Sequence, residues 1–113
     1  MMGNIYGFRP SIDTFQGLRG KLDDIWSSTI QEFYILKKER IIFRFVWERI
    51  QYTIDLKRIN ETNYQGRIIS DGEIAGSAYY SLYENKKGFL LRGTWDEDDY
   101  KYDSIIEIRK LIK

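Results

Sequence analysis

The sequence predicts an all-β domain: an antiparallel up-and-down meander of seven or eight strands forming a small closed or nearly closed barrel, preceded by a short N-terminal helix or irregular segment. Three observations carry this. Apolar and polar side chains alternate from about Thr29 to the C-terminus, the period-two signature of half-buried strands. The alternating runs are separated by only two to six residues, too few for a crossover, so sequence neighbours pair antiparallel. A meander of this size protects its edges most simply by closing on itself.

Residues 1–10 read as an irregular lead. Ile12, Phe15, Leu18, Leu22, Ile25 and Trp26 fall at helical spacing, and Ser11 after Pro10 is a candidate N-cap. Gly17 and Gly20 oppose a long helix, each costing about 1 kcal/mol in a helix interior. The expectation is a short helix within 11–20 and a strand entering near Leu22 to Ser28. Residues 29–37 are rich in branched and aromatic types, and Lys37-Lys38-Glu39-Arg40 is a polar turn.

In 41–47, Ile41, Phe43, Phe45 and Trp47 share one face. In 50–57, Ile50, Tyr52, Ile54 and Leu56 do the same. The phase changes across Glu48-Arg49, which asks for a two-residue turn or a bulge. Asn60 to Asn63 is a loop, Tyr64 to Ile69 a short strand, and Asp71-Gly72 a strong hairpin signal. Glu73 to Glu84 is a long strand with Ile74, Gly76, Ala78, Tyr80 and Leu82 on one side. After the turn at Asn85 to Gly88, Phe89, Leu91, Gly93 and Trp95 share a face. The acidic block Asp96-Glu97-Asp98-Asp99 then turns the chain back, and Ile105 to Ile112 closes it.

With 113 residues there is room for one domain, 1–113, divided into a lead over 1–20 and a barrel over 22–112. There are no cysteines and no histidines, which removes disulfides, thiolate metal sites, the commonest metal ligand and the commonest general base. Carboxylate pairs such as Asp55 with Glu73, or Asp103 with Glu107, remain, but their spacing selects none of them. The expectation is therefore no enzyme, no cofactor and no metal. The acidic block lacks EF-hand spacing and reads as a solvated turn.

Formal net charge is +1, which argues against general nucleic-acid binding. The charge is unevenly spread. Lys37 to Arg67 holds eight Lys/Arg and four Asp/Glu, a net of +4, while Thr94 to Glu107 holds six acids and one Lys, a net of −5. No stretch approaches the ~18 apolar residues of a membrane span. The lack of a leader pattern and of cysteine leads to an expectation of the cytoplasm.

The Leu91-Arg92-Gly93-Thr94-Trp95 run, set in a tyrosine-rich meander with short loops, resembles the small calycin barrels, the lipocalin and avidin relatives. In those families a Gly-x-Trp lies in the first strand and plugs the closed end; here Gly93-Thr94-Trp95 lies in a late strand. The resemblance implies a barrel whose open mouth binds a small molecule.

Trp47, Tyr52, Tyr80, Trp95 and Tyr102 are the candidate cavity walls, each pairing an apolar body with a polar tip. The same rings also suit a filled core, since small barrels are just wide enough for side chains to fill. Arg44 and Arg92 are candidate anchors for an anion. The leading expectation is a binding module for a small, partly apolar or anionic ligand. A protein-interaction or self-associating domain with a filled core is the alternative, and a nucleotide-sensing barrel a third.

Overall fold

A computed structural model of the chain describes residues 2–8, 25–97 and 100–110. Their period-two pattern becomes eight strands: β1 (Met2–Phe8), β2 (Ile25–Leu36), β3 (Arg40–Trp47), β4 (Ile50–Arg58), β5 (Asn63–Ser70), β6 (Glu73–Asn85), β7 (Gly88–Glu97) and β8 (Tyr100–Arg109). Each pairs antiparallel with the next, and β1 also pairs with β8, so the sheet closes into a barrel. Closure leaves no open edge among these strands.

The turns follow local chemistry. Glu48 and Arg49 both have positive φ, 48° and 68°, the mirror-image turn whose twist matches that of the flanking strands. Asp71 and Gly72, at 47° and 87°, repeat it. In the longer β4–β5 loop the Asn60 side-chain oxygen accepts hydrogen bonds from the backbone N–H groups of Thr62 and Asn63, at 3.1 and 3.0 Å.

The inward side chains fill the middle of the barrel. Ile5, Phe43, Ile54, Leu56, Ile68, Leu91 and Ile106 are fully buried there. Such interiors are packed at crystal-like density, and burying each large apolar side chain stabilises the fold by roughly 1.5–3 kcal/mol.

Three expectations change. Residues 2–8 are not an irregular lead but the strand that closes the barrel, paired with β2 through Asn4↔Thr29 and with β8 through Asn4↔Glu107. The alternation was faint because two of its buried positions are Gly3 and Gly7. Ile25 to Leu36, expected as parts of two separate segments, form one strand, β2, broken in phase by a bulge at Gln31: Ile30 pairs with Phe45 and Glu32 with Arg44. A second bulge at Ala75, between the pairs Ile68↔Gly76 and Ile69↔Ile74, turns Ile74 outward, where it is 65% exposed. The helix expected within 11–20 lies outside the described residues.

Candidate functional site

Alternation fixes which side chains point inward, and register fixes how far along the barrel each one sits. Phe45 pairs with Tyr52, Trp47 with Ile50, Trp95 with Tyr102, and Gly7 with Trp26. All lie towards the end that carries the β3–β4, β5–β6 and β7–β8 connections. Five strands thus deliver aromatic rings to one level: Trp26 from β2, Phe45 and Trp47 from β3, Tyr52 from β4, Trp95 from β7 and Tyr102 from β8.

Trp26 is the hub. Its ring centroid lies 5.9 Å from Phe45, 5.9 Å from Trp47, 5.5 Å from Trp95 and 5.9 Å from Tyr102. The contacts with Trp95 and Tyr102 are edge-to-face, at 69° and 89°, a geometry aromatic quadrupoles favour. Room for the indole comes from Gly7, where a β-carbon would sit 2.3 Å from the Trp26 ring. The choice of glycine on β1 and the position of an indole on β2 are therefore one feature.

The rings do not fill this end. They enclose a cavity of about 370 Å³, and Glu97 joins Trp26, Phe45, Trp47, Tyr52, Trp95 and Tyr102 in its wall. The Trp95 indole N–H donates to Glu97 Oε1 at 3.2 Å. The Tyr52 hydroxyl is pushed up to about 12, first by burial, then by the charge of Glu97 and a hydrogen bond with it; Asp71 adds to the shift, and a hydrogen bond with Ser70 opposes it.

Of the wall residues expected from sequence, Trp47, Tyr52, Trp95 and Tyr102 meet at this cavity. Tyr80 does not. It lies deeper, fully buried, and its hydroxyl donates to Ser104 Oγ at 2.8 Å; burial raises the pKa of its phenol strongly. Arg44 and Arg92 do not reach the cavity either, because both occupy outward positions. Arg44 pairs across the outer face with Glu32 at 2.5 Å. Arg92 lies in a shallow outer groove with Tyr79, Ser81, Tyr83 and Asp103. The pleat thus places both arginines on the outer face, away from this cavity.

Sequence reasoning missed Trp26, Phe45 and Glu97 as wall residues. Phe45 was already on the correct face, but its depth depends on register. Trp26 was hidden by the bulge at Gln31. Glu97 continues the inward series Leu91, Gly93, Trp95 and was legible there, but the acidic block masked it as turn.

Comparison with protein-family models, with curated proteins and with solved structures finds no match to this chain. The chemistry of the site has to be read from its own atoms. Among the described residues, no group of three or more His, Cys, Asp or Glu could hold a metal ion. The carboxylate pairs named above are not assembled. Asp55 is held by Arg40, whose Nε donates at 2.8 Å, and Glu73, Asp103 and Glu107 are exposed. What the cavity offers is aromatic surface and one carboxylate.

The buried phenol sets a pH dependence. Below pH 10, Tyr52 is neutral in both the folded and the unfolded chain. Above it, the unfolded chain releases a proton that the folded chain keeps up to about pH 12. Stability contributed this way is complete below pH 10 and is lost as pH rises towards 12. Urea midpoints measured from pH 8 to 12 should therefore fall less steeply for Tyr52→Phe than for the parent; equal slopes would contradict the assignment.

Proposed function

We propose that this chain is a non-enzymatic binding module that holds a small, partly apolar ligand in the cavity at the β3–β4 end of its barrel. The observation that carries this reading is a contrast along the axis. The middle of the barrel is filled by fully buried side chains, among them Phe43, Ile54, Tyr80 and Leu91, whereas this end encloses about 370 Å³ between aromatic rings. Small-molecule sites span roughly 300–1,000 Å³ and combine apolar walls with a few placed polar groups. Such a ligand would displace water from indole and phenol faces, and the hydrophobic gain scales with the apolar area removed from water. The calycin-like style of the meander points the same way, since those barrels bind small molecules at an open mouth.

The test is native mass spectrometry of protein purified from cells, joined to a thermal-shift screen across a metabolite library. A retained mass or a ligand-dependent rise in Tm is expected, because a ligand at a hundred times its Kd adds about 2.7 kcal/mol to the folded state. Trp47→Ala should weaken that rise. A clean apo mass with no shift anywhere in the library would contradict the reading.

A second reading is self-association, favoured by the outer face of β6 and β7. Tyr83 is 55% exposed, its partner across the ladder, Leu90, is 38% exposed, and Tyr79 lies on the same face. Light scattering at a dimer mass that falls to a monomer in Tyr83→Lys would support it.

A further inference from the structure

Glu97 makes the cavity more specific than an apolar hole. Its carboxylate sits in the wall beside Tyr52 and Trp95, and among the described residues it forms no ion pair. The two groups that hold it, an indole N–H and a phenol, are neutral donors. They orient the anion without cancelling its charge. Its negative field and that of nearby Asp71 both reach the Tyr52 hydroxyl.

A ligand entering this space strips water from Glu97. A neutral apolar ligand leaves that desolvation uncompensated, and an anion adds repulsion. A cation offsets it. The remaining walls favour the same charge, because the faces of Trp and Tyr carry negative potential and attract ammonium groups within about 6 Å. Trp26, Trp47, Tyr52 and Tyr102 all line the cavity. The described wall contains no Lys or Arg, since Arg44 and Arg92 lie outside the barrel.

We propose that the cavity selects a small organic cation, an amine or quaternary ammonium with an apolar body, using Glu97 as counter-charge and the indole and phenol faces as the cage. This deepens the binding-module reading and rests on it. The cationic head lies against Glu97 and the rings, and the apolar body covers the remaining aromatic surface.

The experiment titrates the full chain, by calorimetry and tryptophan fluorescence, with three benzyl probes: benzyltrimethylammonium, its neutral carbon isostere neopentylbenzene, and phenylacetate, an anion with a smaller, planar head. The cation should bind about tenfold or more tighter than the isostere, and phenylacetate weakest. Glu97→Gln, which keeps an acceptor for the Trp95 N–H, should remove that advantage while leaving the isostere's affinity in place. Trp47→Leu keeps apolar bulk but removes a π face. It should cost the cation about threefold to tenfold and the isostere little. Near-ultraviolet circular dichroism establishes that both variants are folded. Equal binding of cation and isostere, or a Glu97→Gln variant that still prefers the cation, overturns the inference and leaves the binding module standing. Binding of none of the three probes overturns both.

Discussion

Replacing Gly93 with alanine is expected to unfold most of the molecule at room temperature or lower its Tm by tens of degrees. Gly93 pairs with Tyr80 and Ser104 in the middle of β7, between the buried residues Leu91 and Trp95. A β-carbon there would lie 1.7 Å from the Tyr79 carbonyl oxygen, 2.7 Å from its carbon and 2.8 Å from the Tyr80 α-carbon. These are backbone atoms, so no side-chain rotation relieves the contact. β6 and β7 would have to separate there, at a close backbone approach that glycine permits. Overpacking against backbone belongs to the rare class of substitutions that cost more than about 4 kcal/mol, against total stabilities of roughly 5–15 kcal/mol. At about 4–8 °C per kcal/mol in a domain near this size, the Tm falls by about 15–30 °C. Thr94→Ala, one residue away and exposed, should change little. A Gly93→Ala melt within a few degrees of the parent would mean that the two strands do not approach as described.

The second large effect concerns β1. Ile5 is fully buried and pairs with Ser28 on one side and Ile106 on the other. Ile5→Asp places a carboxyl group among aliphatic side chains. An isolated buried carboxylate is so unfavourable that it stays protonated or the strand leaves. Several kcal/mol are lost either way. Departure of β1 also exposes two long strand edges, β2 and β8, which are templates for aggregation. The expected outcome is insoluble or unfolded protein, with Asn4→Asp as the tolerated control because Asn4 is exposed. A soluble Ile5→Asp protein with an unaltered melt would place β1 outside the cooperative unit.

Both effects bear on what the sequence could reveal. Where side chains are large and turns short, alternation was enough: the inward sets Ile41-Phe43-Phe45-Trp47 and Phe89-Leu91-Gly93-Trp95 follow from residue type alone, and the phase change at Glu48-Arg49, which left a turn and a bulge open, is a two-residue turn. Where packing required glycine, it was not. Gly7 is needed because an indole from another strand occupies its space, and nothing local to residues 2–8 carries that information. The bulges at Gln31 and Ala75 hid two more phases, since one extra residue reverses every side chain beyond it. The site was half legible for the same reason. Period two identifies an inward aromatic, but only register separates Tyr52 at the cavity from Tyr80 in the core. The arginines were misplaced because charge was weighed before face. Arg44 and Arg92 alternate with buried neighbours and had to point out.

A barrel closed through β1 gathers rings from distant strands around one cavity. Nuclear Overhauser spectroscopy on the full chain tests this most directly. It predicts backbone contacts from Asn4 to both Thr29 and Glu107, together with ring contacts from Trp26 to Trp47, Trp95 and Tyr102. Contacts from Asn4 to only one neighbouring strand, or a Trp26 ring without contact to Trp95 and Tyr102, would contradict it.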